Sequence, residues 1–192
     1  MKAVIFDCFG VLLGSAYKTQ LAELEATSPE KAEQIRAISH ASDRGILSRN
    51  EAAQYMADVL GEDMQDVIAE QDHSEVQNYT LLNFIEHEIS PKFKTAVLSN
   101  ISGRDRLAIR FEKGQLDSLF TTVIASGDEG LVKPQPEIYQ LVANRLGVPA
   151  SECIMVDDIQ QNCDGATSAG MKAILFTSNK QCIEALRKHL SL

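Results

Sequence analysis

Asp7, Ser99, Asn100, Lys133, Asp157 and Asp158 are the residues whose types and positions suit chemistry. Ala3-Val4-Ile5-Phe6 runs without a polar break into Asp7, and Thr95-Ala96-Val97-Leu98 runs into Ser99-Asn100. Cys153-Ile154-Met155-Val156 ends in Asp157-Asp158, and Lys133 follows the run Thr122-Val123-Ile124-Ala125, flanked by Pro134 and Pro136. Short continuous apolar runs read as strands buried on both faces of a parallel sheet, and open α/β sheets place their chemistry at the carboxyl ends of such strands. Taken singly, Asp7 reads as a turn cap, Ser99 as a strand-ending cap, Lys133 as a solvated loop lysine and Asp157 as structural. On one parallel sheet, however, all these ends share an edge, so a carboxylate nucleophile, a hydroxyl, an amide, a lysine and an acidic pair converge. Crowded carboxylates repel and call for a cation. Magnesium fits an all-oxygen site that keeps waters and bridges to a substrate phosphate.

The elements that must position these groups alternate. After the first strand and a Gly14-Ser15 turn comes an all-helical stretch to about residue 89. Within it, Ser28-Pro29 opens a helix carrying Ile35, Ile38 and Ala41, which Asp43-Arg44-Gly45 closes. Ser48 to Glu51 is a capping box, followed by the apolar face Tyr55, Met56, Val59 and Leu60 with Gly61 as the stop. Further helices are predicted over Met64 to Ala69 and Val76 to Glu88, and no strand. From Lys94 onward, strands at 95–98, 122–125, 153–156 and 173–176 alternate with helices at 104–113, 136–146 and 162–169, and Ser178 with Gln181 boxes a last helix. This pattern predicts an α/β fold with a five-stranded, mostly parallel sheet flanked by helices. The helical stretch is then an insertion after the first strand, placed to cover the site as a lid. The expected division is a core of residues 1–14 and 90–192 and a helical cap of residues 15–89.

The net charge of −9, from 27 acidic and 18 basic residues, argues against a nucleic-acid partner, as does the lack of a basic stripe with interleaved aromatics. It leaves anionic small substrates open, because a bound cation inverts the local field. No apolar run reaches membrane-spanning length. Cys8, Cys153, Cys163 and Cys182 lack CxxC spacing and sit in or beside apolar segments, so reduced core thiols in a cytoplasmic protein without a leader are expected. In the lid, Arg36, His40, Arg44 and Arg49 are read as a solvated helix face rather than contacts to a substrate anion.

The ordered set of motifs resembles the haloacid dehalogenase (HAD) superfamily across essentially the whole chain. Phe6-Asp7-x-x-Gly10-Val11-Leu12 is similar to its first motif and Leu98-Ser99-Asn100 to its second. Gly130-Leu131-Val132-Lys133-Pro134-Gln135-Pro136-Glu137-Ile138-Tyr139 resembles the third, and Val156-Asp157-Asp158 through Asn162, trailed by Gly165-Ala166 and Ala169-Gly170-Met171, the fourth. The resemblance implies a Rossmann-like core with a helical C1-type cap, similar to bacterial sugar-phosphate phosphatases and the N-terminal phosphatase domain of soluble epoxide hydrolases. It implies that Asp7 attacks phosphorus and becomes an aspartyl phosphate. Ser99 and backbone amides near Asn100 would hold phosphoryl oxygens, and Lys133 would neutralise the nucleophile and the transferring group. Mg²⁺ would bind Asp7, Asp158 and the carbonyl of Phe9, with Asp157 and Asn162 completing or orienting its shell. The implied substrate is a small phosphorylated metabolite.

One position departs from the pattern. Active phosphatases of this superfamily usually carry a second aspartate two residues after the nucleophile, where this chain has Phe9. A phenyl ring moves no proton, and losing a general acid/base typically costs about 10²–10⁴-fold. Substrates with good leaving groups, a substitute proton donor, or slow turnover on a fold that mainly binds are the three outcomes. An aromatic residue here also resembles the metal-independent 2-haloacid dehalogenases, whose halide leaves without a proton. Those lack the acidic pair of the fourth motif, so dehalogenation ranks second, ahead of a phospho-accepting receiver, whose acids would follow the first strand.

Overall fold

The computed structural model describes all of residues 1–192. Its elements in chain order are β1 Ala3–Phe6, α1 Tyr17–Thr27, α2 Pro29–Asp43, α3 Arg49–Leu60, α4 Met64–Ser74 and α5 Tyr79–Phe84, which continues as a π-helical turn Ile85–Ile89. Then come β2 Lys94–Ser99, α6 Arg104–Ala108, α7 Gln115–Leu119, β3 Thr122–Ala125, α8 Ser126–Glu129 and α9 Pro136–Leu146. A 3₁₀ turn Ala150–Glu152, β4 Cys153–Asp157, α10 Gln160–Ser168, β5 Lys172–Leu175 and α11 Asn179–Leu190 complete the chain.

The five strands form one sheet in the order β3-β2-β1-β4-β5, and every pairing is parallel. Because β1 is central, its carboxyl end lies between those of β2 and β4. The register Phe6 to Val97 and Phe6 to Val156 brings Asp7, Ser99 and Asp157-Asp158 to one edge. Side chains alternate across the sheet as a strand requires. Val4, Phe6 and Val97 enter a 26-residue cluster on one face, while Ile5, Leu98 and Met155 enter a 15-residue cluster under α9 on the other. Both faces are covered, which explains the unbroken apolar runs.

The insertion leaves and rejoins the core through a narrow neck. Gly14 N–H donates to Val76 O and Asn78 N–H to Leu12 O, each at 2.8 Å, and Leu13 bridges Gln77 in antiparallel fashion, the one strand-like contact in the stretch expected to hold none. The helices between share a small cluster of Ile35, Met56, Ala57 and Val67. Leu81, Leu82, Phe84, Ile85 and Ile89, beyond the neck, pack instead into the larger sheet cluster.

Several local expectations shift. Helix α5 starts at Tyr79 rather than Val76, because Asn78 caps it by accepting from Leu81 N–H. The helix expected over 104–113 stops at Ala108, and a second short helix that was not expected, α7, follows Gly114, which lies in the left-handed region (φ +82°). Tyr55 is half exposed, since α3 buries Ala52, Ala53, Met56 and Ala57 instead. The Ser48–Glu51 box forms as expected. At α11 only half a box forms, since Gln181 Oε1 reaches Thr177 N–H rather than that of Ser178. No helix is long and apolar enough to cross a membrane.

Candidate active site

Asp7 sits at the tip of β1, 5% exposed. Its Oδ1 accepts the Cys8 N–H at 2.7 Å and pairs with Lys133 Nζ at 2.8 Å. The following turn closes on itself, with Leu12 and Leu13 N–H groups both donating to Cys8 O at 2.8 Å. Gly10 within it has φ +87°, and a Cβ there would lie 2.3 Å from Asp158 Oδ2. Only glycine permits both the backbone angle and this approach of the first turn to the fourth motif.

From β2, Ser99 presents a buried Oγ that has no hydrogen-bond partner. The Asn100 side chain brackets the Lys133 peptide, accepting its N–H at 2.8 Å and donating to its C=O at 3.0 Å. Asn100 therefore fixes the lysine loop with its amide, and what remains for a ligand is its backbone. Lys133 is 4% exposed and reaches a second carboxylate, Asp157 Oδ2, at 2.7 Å.

The adjacent acids at the end of β4 differ in kind. Asp157 is fully buried and satisfied, its Oδ1 accepting from Ile159 N–H at 2.9 Å and Asn162 Nδ2 at 3.0 Å. Asn162 is itself held by the Tyr139 hydroxyl, which donates to its carbonyl at 2.7 Å. Asp158 keeps a buried Oδ1 with no partner, while its Oδ2 lies 2.5 Å from Lys18 Nζ of α1.

Three carboxylates thus have ligand atoms within 4.8 Å of one another. Burial pushes the Asp7 carboxyl up to about 7, Lys133 pulling it back and Asp157 adding to the rise. Burial alone favours a neutral amine at Lys133, but the charges of Asp7 and Asp157 outweigh it and raise its pKa above the usual lysine value. Asp158, with its orphaned Oδ1, and Asp7 bring carboxylate oxygens within 4.8 Å of one another, a hard oxygen pair that suits a divalent cation. Asp157 has no such spare oxygen and serves the lysine and Asn162.

These groups open onto a cavity of about 910 Å³ between the sheet edge and helices α1, α2 and α4, lined among others by Asp7, Phe9, Ser99, Lys133 and Asp158. The Phe9 ring lies under the Arg106 guanidinium, 5.6 Å from its centroid. Arg106 donates to Glu75 at 2.5 and 2.6 Å, Arg110 also binds Glu75, and Arg49 and Arg110 share Asp72. This network ties the helical insertion to α6.

Of the lid cations, Arg36 pairs with Glu25 and Glu33 on the outside, while His40 and Arg44 line the rim of the cavity. Arg49 is not on a solvated face, because Asp72 draws it to the junction with α6. Four residues at the site carried no motif: Lys18, Asp43, Glu75 and Arg106. Asp43 was legible only as a helix stop, and the others were not singled out. The four cysteines are buried and unpaired.

A family model described as haloacid dehalogenase-like hydrolase matches residues 1–170. Among curated proteins, the chain is 34% identical over 98 residues to Phosphatase MT3486 of Mycobacterium tuberculosis, covering 51% of this chain and 45% of that one. It is 30% identical over 115 residues to human N-acylneuraminate-9-phosphatase, covering 58% and 46%. The chain therefore spans about half the length of these relatives. Among solved structures, a HAD-family enzyme of Bacteroides thetaiotaomicron in complex with magnesium and inorganic phosphate superposes with a TM-score of 0.73 at 18% identity, over 92% of this chain and 94% of that one, a likeness of fold. With 170 of 192 residues matched and the four motifs converging on one sheet edge, the chain belongs to the haloacid dehalogenase-like hydrolase family.

Proposed function

We propose that the protein is a Mg²⁺-dependent phosphatase-type hydrolase of a small phosphorylated metabolite, acting through an aspartyl phosphate on Asp7. The observation that carries this reading is the cleft in which Asp7, held against buried Lys133, meets two orphaned oxygens, Ser99 Oγ and Asp158 Oδ1. The Asp7 oxygen not paired with Lys133 is the nucleophile, and Ser99 Oγ and the backbone near Asn100 receive phosphoryl oxygens. Lys133 holds the nucleophile and offsets charge on the group in transfer. Asp7, Asp158 and the Phe9 carbonyl would hold Mg²⁺, which supplies positive charge where phosphate and carboxylates meet. Asp157 and Asn162 orient Lys133 and the metal-binding turn.

We take residues 1–14 and 90–192 as the core and 15–89 as the cap, the part beyond Tyr79 anchoring it to the sheet. The net charge of −9 supports a small-molecule rather than a nucleic-acid partner, and four unpaired cysteines support a cytoplasmic setting. The aromatic Phe9 favours dehalogenation as a second reading. Against it stands Asp158, whose buried Oδ1 a metal-free site leaves without a partner although Lys18 pairs with its Oδ2.

A panel of sugar phosphates, acetyl phosphate and p-nitrophenyl phosphate, with Mg²⁺ or EDTA, tests the proposal. Mg²⁺-dependent phosphate release that Asp7→Asn abolishes is expected. Metal-independent chloride release from chloropropionate contradicts it in favour of dehalogenation, and no turnover contradicts it in favour of a binding protein.

A further inference from the structure

Phe9 leaves the reaction without a proton donor on the first turn, and Arg106, stacked on its ring, holds the neighbouring Glu75 carboxylate in an ion pair. The cavity nevertheless contains a carboxyl group free for the task. Asp43, the last residue of α2, lines the same cavity as Asp7, Ser99 and Lys133. Its neighbours there are Tyr17 from α1, whose ionisation it opposes, Lys133 from the loop after α8, and Arg106 from α6. Its carboxyl group enters no ion pair, in contrast to Glu75, which two arginines hold. Glu23, Glu62 and Glu70 also line the cavity but are exposed.

The backbone around Asp43 is fixed to the core rather than to the cap alone. The buried Ser126 hydroxyl, at the carboxyl end of β3, donates to the Asp43 carbonyl, and the same oxygen accepts the Ile101 N–H at 2.8 Å. Two residues on, Gly45 rests on the core backbone, where a Cβ would lie 2.7 Å from Gly127 O. A cap residue is thereby held in register with the ends of β2 and β3, the precision a proton-transfer group needs. Burial raises the Asp43 carboxyl to about 6, with Lys133 drawing it back, so near neutrality it is present in both protonation states.

We propose that Asp43, supplied by the cap, is the catalytic acid and base that Phe9 cannot be. The assignment rests on the phosphatase reading above. In the first step an Asp7 oxygen bonds to phosphorus as the ester P–O bond breaks, and the departing oxygen takes the Asp43 proton and leaves as an alcohol. In the second, the Asp43 carboxylate takes a proton from water as the water oxygen bonds to phosphorus and the P–O bond to Asp7 breaks. Inorganic phosphate departs, and both carboxyl groups return to their starting states.

Leaving-group dependence tests this on the full-length Mg²⁺-loaded protein, comparing an alkyl phosphate with p-nitrophenyl phosphate for wild type, Asp43→Asn and Asp43→Glu. Asp43→Asn is expected to lose about 10²–10³-fold in kcat on the alkyl phosphate. On p-nitrophenyl phosphate, whose leaving group needs no proton, its first turnover keeps the wild-type rate and is followed by a slow steady state with accumulated phosphoenzyme. Asp43→Glu, which retains the acid, keeps measurable alkyl phosphatase activity and guards against a folding defect. In wild type, kcat/KM for the alkyl phosphate falls as the pH rises past the Asp43 pKa, and Asp43→Asn lacks that limb. Equal losses in the first turnover on both substrates, or no loss on either in first turnover and steady state, overturn the role of Asp43 alone. A wild type that releases phosphate from neither substrate overturns the phosphatase reading and this assignment with it.

Discussion

The ammonium of Lys133 lies 2.8 Å from Oδ1 of Asp7, and the two side chains are 1% and 8% exposed. The same ammonium reaches Asp157, so one buried cation balances two buried carboxylates. Removing it strands both charges, and breaking a buried pair in this way typically costs about 3–5 kcal/mol. Lys133→Met is expected to lose about that much stability in urea unfolding without metal. A midpoint unchanged from wild type contradicts the assignment of Lys133 as the charge that holds the site together.

Gly10 and Asp158 make a second close contact. Alanine at Gly10 has to accept a left-handed backbone and place a Cβ 2.3 Å from Asp158 Oδ2, so the first turn or the carboxylate must move. Gly10→Ala is expected to weaken Mg²⁺ binding at least about tenfold, the lower end of what displaced supporting groups cost at metal sites. Calorimetric titration with Mg²⁺ reads this directly, and wild-type affinity counts against Asp158 as a ligand.

Phe9→Asp restores an acid two residues after the nucleophile. It is expected to raise alkyl phosphatase activity in an otherwise wild-type chain, and to recover part of the activity that Asp43→Asn removes. Steady-state kinetics on the single and double variants check both. No gain in either background, with folding intact by circular dichroism, shows that Phe9 is more than a missing acid.

The raised carboxyl of Asp43 also has a stability consequence. Its pKa is about 6 in the folded protein against an ordinary value of 3.8, so the folded state binds more protons between those values. Stability therefore falls as the pH rises from about 4 to 6 and stays lower above. Asp43→Asn, neutral throughout, is expected to be more stable than wild type at pH 7.5 by about 1–3 kcal/mol, the gap closing below about pH 4. Denaturant unfolding at both pH values measures it, and a destabilised variant at pH 7.5 contradicts the burial cost.

What could be read from the chain alone follows from which interactions are local. The five strands were legible because each is an unbroken apolar run, the mark of a strand covered on both faces. Asp7, Ser99, Lys133 and the 157–158 pair were legible because each ends or follows such a run. Asp43, Lys18, Arg106 and Glu75 were not, because nothing in sequence links a cap helix to a strand end far along the chain. Only the fold brings Ser126 to the Asp43 carbonyl, or Arg106 over Phe9. The end of α6 at Ala108 was missed because Leu107, Ala108, Ile109 and Phe111 carry an apolar pattern on toward residue 113.

The central claim is that Asp7 carries the phosphoryl group. The most direct measurement is peptide mass mapping after an acid quench of Mg²⁺-loaded protein mixed with acetyl phosphate. The account predicts one added phosphoryl group on the peptide containing Asp7, absent with EDTA and absent in Asp7→Asn. Phosphate released at the same rate by Asp7→Asn, or a phosphoryl group found on any other residue, contradicts it.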